Sequence, residues 1–492
     1  MNPLKQLAGQ TAIYGLSSVL ARILNFLLVP FYTRIFVDTA EYGIINELYA
    51  YVAFLIIVLT YGMETAFFRF TSKHNNSQLV FSTSVISLII TSILFAIIII
   101  FFFPTIAQLI GYGEKANFVL ILGIVLSFDA MAAIPFARLR YMNKALKFAL
   151  IKLFNICTNI FFNIFFLIII PFLIDRGYSF FIFDIIYDPD FKVGYVFVSN
   201  FLASFFTLLF FLKDIIRTRF IFSWGLLKSM LFYSFPLLIA GLAGTVNEVI
   251  DRIMLRYRLP SEINALEQIG IYGANIKIAV LMTLFIQMFR YAFEPFFFSQ
   301  EKNIYNRKLY ADVLHYFVIF GIFGFLFITL YIDIFKYIIG PQYREGLDIV
   351  PVVLLGNLML GIYFNLSVWY KLKEMTIYGA VFATTGAIVT LSVNYWFIPL
   401  FGYLASAWAH FFSYFVMVIL AYFSGRFYYP VPYKISWLLF YFTVGFLLYI
   451  LSVLVYVEGM FLRMSINTLF ILIFVVLAYF IEKKNIIEIV KK

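Results

Sequence analysis

One cysteine, three histidines and 12% charged residues are all that this chain of 492 residues holds of the groups most enzymes rely on. A typical soluble domain is about 25% charged. The lone Cys157 rules out an intrachain disulfide and a cysteine metal cluster, and reads as a helix-packing residue. His74, His315 and His410 lie far apart and lack metal-ligand spacing, so each reads as a helix-end or packing residue. No glycine-rich loop ends in Lys followed by Ser or Thr, which excludes ATP hydrolysis by this chain. No serine, histidine and carboxylate set is suggested by position. The longest polar break, roughly residues 171–192, is too short for a soluble domain. A membrane-embedded polymerase or ligase would want a long external loop, and none is present. No cofactor is expected. The net charge of +11 lies in short loops between apolar stretches, where membrane insertion explains it better than nucleic acid does.

Apolar sequence fills the rest. The chain is 64% hydrophobic and 21% aromatic, with a mean hydropathy of +0.97. Fourteen stretches are long enough to cross about 30 Å of hydrocarbon at about 1.5 Å per residue. They are 8–36, 44–70, 79–103, 117–137, 146–170, 193–212, 229–253, 270–297, 310–338, 347–370, 377–398, 402–424, 435–457 and 463–481. The expected fold class is an all-α integral membrane protein. The first stretch carries Arg22 in its middle and no small-residue cleavage site follows it, so it reads as a span and not a cleaved signal. With the N-terminus inside, about 22 of the 36 Lys and Arg fall in cytoplasmic segments. That bias places both termini in the cytoplasm.

Nine ionisable residues sit inside these apolar stretches: Arg22, Glu47, Glu64, Asp129, Lys152, Glu248, Lys277, Arg290 and Glu294. At roughly 3 kcal/mol each, placing all nine against lipid would cost about 27 kcal/mol. A marginally stable protein cannot absorb that. They must face one another or a wet cavity, which is the signature of a transporter. Several stand on polar stripes at helical spacing. Thr11, Tyr14, Ser18, Arg22, Asn25 and Thr33 share one face of the first span. Lys152, Asn155, Asn159 and Asn163 share a face of the fifth, where the asparagines also suit helix–helix hydrogen bonding. Glu248 and Arg252 are four apart, as are Arg290 and Glu294, so either couple also suits an intrahelical ion pair. Pro30, Pro135, Pro236 and Pro295 are expected to break or bend their spans.

An internal repeat is visible at an offset of 230 residues. Tyr42-Gly43 matches Tyr272-Gly273, Tyr61 matches Tyr291, Glu64 matches Glu294, and Phe67-Phe68 matches Phe297-Phe298. Glu47 falls opposite Lys277. The expected organisation is a six-helix lobe over 1–212, a cytoplasmic linker over 213–228 and a second six-helix lobe over 229–424. Two appended spans and a tail follow over 425–492. Repeat-built transporters hold their sites near the midplane, at the repeat interface, so the two pseudo-symmetric lobes are expected to form a central cavity.

Five scattered segments carry a resemblance to a known family. They are Thr11 to Tyr32 leading to Glu41-Tyr42-Gly43, Tyr233 to Leu238 with Asp251-Arg252, and Gly270 to Gly273 with Lys277 and Glu294-Pro295-Phe296. The last two are Gly340 to Glu345, and Asn394 to Pro399 with Gly402 and Ala405. In order and spacing the chain resembles the polysaccharide-biosynthesis flippases of the multidrug/oligosaccharidyl-lipid/polysaccharide exporter superfamily. The resemblance implies alternating access and transfer of a polyprenyl-pyrophosphate-linked oligosaccharide from the inner to the outer leaflet of the bacterial inner membrane. It implies membrane lipids and polysaccharide polymerase or assembly proteins as further partners. The residues agree with it. A diphosphate needs cations away from water, and Arg22, Lys152, Lys277 and Arg290 are candidates to supply them. Glu47, Glu64, Asp129, Glu248 and Glu294 are candidates for coupling to protons or Na⁺. Carrying two negative charges outward against an inside-negative potential is downhill by roughly 5 kcal/mol per 100 mV, so coupling is allowed without being required.

Competing readings are a peptidoglycan-precursor flippase, a drug or organic-cation antiporter of the same superfamily, and a membrane-embedded polymerase or ligase. Four intramembrane cations argue against the antiporter. Arg22→Glu or Lys152→Glu is expected to abolish surface polysaccharide at a normal protein level. Full export with both residues reversed would count against a phosphate-binding cavity.

Overall fold

The computed structural model describes the backbone of residues 3–73, 76–178, 181–216, 221–299, 306–455 and 457–490. It describes the side chains of these residues save 3–18, 182, 184, 291–299, 306 and 484–490. Among the described residues the protein is all-helical and has no strands. Among the described residues, thirteen helical segments are long and apolar enough to cross a membrane. In lipid a spanning segment must satisfy its backbone groups internally, and a helix does so within one segment.

Helices fall in two compact units, Met1–Ile253 and Met254–Lys492. The first holds α1 (Pro3–Ile35), α2 (Thr39–Thr60), α3 (Met63–Lys73), α4 (Ser77–Leu109), α5 (Ala116–Tyr141) and α6 (Ala145–Ile164). It continues through α7 (Ile170–Asp175), α8 (Phe181–Ile186) and α9 (Gly194–Ile216). Helix α10 (Trp224–Arg258) runs across the division. The second unit holds α11 (Ala265–Ser299), α12 (Asn306–Leu330), α13 (Ile332–Phe335), α14 (Val350–Leu366) and α15 (Val368–Leu372). It ends with α16 (Ile377–Phe401), α17 (Tyr403–Tyr428), α18 (Ile435–Leu454) and α19 (Met460–Val490).

The four prolines expected to break or bend spans leave their helices continuous, α1 through Pro30, α5 through Pro135, α10 through Pro236 and α11 through Pro295. Neighbouring groups in a membrane protein re-satisfy a carbonyl that proline frees. The break comes instead at Tyr61-Gly62, between α2 and α3. Both residues are left-handed, with φ of 34° and 69°. Tyr61 closes α2 by donating its backbone N–H to the Ile57 carbonyl at 2.9 Å, and its hydroxyl lies 2.6 Å from the Ser87 hydroxyl. Glycine reaches positive φ without penalty. The repeat-related position is Ala292, a strong helix former, and α11 runs on through it unbroken. A second irregularity follows α6, where Phe165–Ile169 is a π-helical turn. Cys157 is exposed on α6 and not packed between helices.

Packing in the first unit centres on an apolar cluster that includes Met63 and Phe67 of α3, Phe81 of α4, Ile134 of α5 and Met230 of α10. In the second unit polar side chains fasten the last two helices to α12, as expected where lipid tails give helices no hydrophobic reason to associate. At one end Asn467 donates to the Leu330 carbonyl at 2.6 Å and accepts from Ser452 at 2.7 Å. At the other, His315 Nε2 lies 2.7 Å from Glu482 Oε1, which also accepts from the Tyr441 hydroxyl at 2.9 Å. His315 thus fastens a helix in the apolar interior. His410 Nε2 lies 3.2 Å from the Asn357 carboxamide; His74 lies outside the described residues.

Gly62→Ala is expected to lower the thermal unfolding midpoint of the detergent-purified protein. The left-handed backbone costs an alanine about 1–2 kcal/mol, and its Cβ would lie 3.1 Å from the Ser234 carbonyl oxygen. Gly244→Ala, inside α10 with open space around it, is expected to raise the midpoint or leave it unchanged. A lower midpoint for Gly244→Ala alone would count against this account of the break.

Candidate functional site

Four chain segments of the first unit turn polar stripes toward one another. Ile56 and Thr60 of α2 are followed across the break by Glu64 of α3; α5 presents Asp129, Ala133, Phe136 and Arg140. Helix α6 presents Phe148, Lys152 and Asn155, and α9 presents Asn200, Ser204 and Thr207. Spacings of three and four place each set on one helical face. Together they wall a cavity of about 490 Å³ inside the first unit.

Two carboxylates and two cations meet there. Arg140 and Glu64 form an ion pair whose side chains remain 38% and 43% exposed, so the cavity can wet both. Asp129 hydrogen-bonds with Ser204, and the charge of Lys152 acts on it. Lys152 in turn feels Asp129 and Arg140, and its ammonium lies 4.5 Å from the centre of the Phe136 ring. Asn155 donates to the Thr207 hydroxyl at 2.9 Å, which donates onward to the Ala203 carbonyl at 2.7 Å. Asn200 donates to the Tyr49 hydroxyl at 3.1 Å. Glu64 stands in the first turn of α3, where the positive end of the helix dipole favours an anion.

Of the nine ionisable residues, Glu64, Asp129 and Lys152 come together in this cavity. Glu47 is fully buried in α2 and accepts a 2.6 Å hydrogen bond from Tyr112. Arg22 is exposed on α1, and its charge is the strongest acting on Glu248 of α10. The expected Glu248–Arg252 ion pair takes another form. Arg252 Nη1 donates to the Glu248 backbone carbonyl at 2.9 Å and lies 3.3 Å from the buried Asp251 carboxylate. In the second unit, Lys277 is half-buried on α11. Arg290 lies 4.8 Å from the Phe364 ring centre, and its charge acts on Tyr370. The side chain of Glu294 lies outside the described residues, as do those of Thr11, Tyr14 and Ser18.

The asparagine stripe of α6 divides. Lys152 and Asn155 face the cavity. Asn163 donates to the Asn159 carbonyl at 2.8 Å and accepts from the Tyr32 hydroxyl of α1 at 2.9 Å, which is helix–helix fastening. Arg140 is not singled out by sequence reasoning, because a cation in the last turn of a helix reads as one that sets orientation. Its signal was spacing: it continues the face of Asp129, Ala133 and Phe136 by one further turn.

Comparison with known proteins agrees with this architecture. A family model described as polysaccharide biosynthesis protein matches residues 7–301, more than half of the chain. Among solved structures, the lipid II flippase MurJ in an inward closed conformation is 18% identical, with a TM-score of 0.74, over 96% of this chain and 99% of that one. An inward-facing multidrug resistance MATE family transporter of the MOP superfamily is 13% identical, with a TM-score of 0.63, over 85% and 94%. At these identities the likeness establishes the fold. A comparison with curated protein sequences gave no match.

The Glu64–Arg140 pair gives a direct test. Arg140→Gln removes the partner of a carboxylate that the cavity still wets and is expected to cost up to about 1 kcal/mol. Glu64→Gln with Arg140→Gln is expected to recover most of that loss in a double-mutant cycle of thermal stability. Strict additivity of the two single changes would remove the pair from the site.

Proposed function

The chain belongs to the polysaccharide biosynthesis protein family, and on that premise we propose that it is a flippase rather than an enzyme. Its substrate is a polyprenyl-pyrophosphate-linked oligosaccharide, carried from the cytoplasmic to the outer leaflet of the bacterial inner membrane by alternating access. Both termini lie in the cytoplasm in this reading, which the distribution of Lys and Arg supports.

The observation that carries the proposal is the cavity of the first unit, where Lys152 and Arg140 stand against Asp129 and Glu64. A diphosphate brings about two negative charges, and this cavity already holds two carboxylates beside its two cations. Substrate and carboxylates therefore compete for the same positive groups. A proton or Na⁺ on each carboxylate releases Lys152 and Arg140 for the phosphates, Arg140 by bidentate hydrogen bonds and Lys152 as a point charge. Loss of those ions restores the internal pairs and expels the anion. Arg22, Lys277 and Arg290 are further phosphate contacts in this scheme, and Glu248 and Glu294 further coupling groups. Glu47, with its tyrosine partner, serves as a fixed point of the α2 packing.

Transport of a polyprenyl-diphosphate oligosaccharide into vesicles tests the scheme. Lys152→Gln is expected to slow it roughly tenfold or more, the worth of one charge-assisted hydrogen bond. Asp129→Asn is expected to make the remaining rate indifferent to proton and Na⁺ gradients. Unchanged transport after all gradients are collapsed and Glu64, Asp129 and Glu294 are neutralised would end the coupling scheme. Rescue of a strain depleted of peptidoglycan-precursor flipping would reassign the substrate.

A further inference from the structure

A second cavity, wholly inside the second unit, has the opposite character. It is an apolar groove of about 560 Å³. Its walls include Leu314 and Ile322 of α12, Leu358 of α14, Phe415 and Phe423 of α17 and Phe446 of α18. Phe423 is 62% exposed and Phe446 50%, so the groove opens sideways along helices that span the membrane. At one end it reaches Tyr433, in the link between α17 and α18, and Ile435, which opens α18.

Cations collect at that end. Tyr429, four residues before Tyr433, takes two of them on its ring, Arg307 at 4.7 Å and Lys373 at 5.8 Å from the centre. The Tyr433 ring lies 6.2 Å from that of Tyr422 in the groove wall, and the Tyr429 ring 6.4 Å from that of Tyr310 on α12, so the cluster adjoins the groove. Lys434 adds a third cation and is paired at 3.4 Å with Asp312 of α12. Two cations thus share one ring, and the Lys434–Asp312 pair follows Tyr433 in the chain. An aromatic face attracts a cation but accepts few of its N–H bonds, so Arg307 and Lys373 keep donors for an anion. These three cations belong to the set whose distribution marks the cytoplasmic side.

We propose that this groove holds a resident anionic phospholipid of the cytoplasmic leaflet, with an acyl chain between α12, α17 and α18 and its phosphate at Arg307 and Lys373. Charge and shape agree on this occupant. The apolar channel takes hydrocarbon, the rim takes a negative headgroup, and basic pockets between spanning helices on the cytoplasmic side suit such headgroups. The site is separate from the charged cavity of the first unit and does not depend on what that cavity transports.

Lipid retention by the full-length protein is the test. The protein is purified from mixed vesicles of phosphatidylglycerol and phosphatidylcholine, and bound lipid is quantified by native mass spectrometry. Phosphatidylglycerol is expected to be retained over phosphatidylcholine and to raise the thermal midpoint. Arg307→Gln with Lys373→Gln should reduce that preference by about fivefold for each cation removed. Thr443 of α18 also lines the groove, and Thr443→Trp, which fills it and leaves the cations in place, should expel the lipid while the protein stays monodisperse. Equal retention of the two lipids would overturn the proposal, as would wild-type retention by the charge variant or by Thr443→Trp. Displacement of phosphatidylglycerol by equimolar polyprenyl diphosphate would also overturn it, by giving the groove to the transported lipid.

Discussion

Hydrocarbon offers a charge no partner, and much of this structure answers that single constraint. A carboxylate or ammonium within a spanning helix must find its counter-ion, a hydrogen bond or water inside the protein. The first unit meets the demand in two ways. Glu47 is enclosed and accepts a hydrogen bond from one tyrosine hydroxyl. Glu64, Asp129, Arg140 and Lys152 are pooled in a shared cavity where each has an opposite charge nearby. Enclosure removes an ionisable group from service, whereas pooling leaves it open to exchange. The same residue type therefore carries different prospects according to how its charge is settled.

Much of the fold could be read in advance because lipid imposes so few solutions. Stretches of apolar sequence such as 79–103 and 377–398 have only a helix open to them, and α4 and α16 are those helices. Side-chain partners were harder to foresee. Lys152 and Asp129 stood out because a charge amid Phe and Ile is conspicuous. Arg140 did not, since an arginine near a helix end has an ordinary explanation in membrane topology. Glu482 was hidden in the same way, among the charges following the last span, and proves to be the buried partner of His315 and Tyr441. Chain ends of helices are where sequence alone separates orientation from function least well.

The prolines and glycines carry a related lesson. Proline is the stronger helix breaker by propensity, yet four spans run through their prolines unbroken. A proline removes one hydrogen bond, which neighbours can replace. Tyr61 and Gly62 change the direction of the chain itself, and that change delivers Glu64 to the first turn of a new helix. Polar side chains play the converse part in the second unit, where Asn467, Ser452 and Tyr441 hold helices together that lipid alone would leave indifferent.

Gly62 and Ala292 occupy matching places in two segments that otherwise share their tyrosine, their glutamate and their paired phenylalanines. The difference between them is one methyl group. Helix α11 runs through Ala292 as one helix, whereas its counterpart is divided at Tyr61-Gly62 into α2 and α3. Two segments alike in pattern therefore differ in backbone course, and the joint stands two residues before the acid of the first.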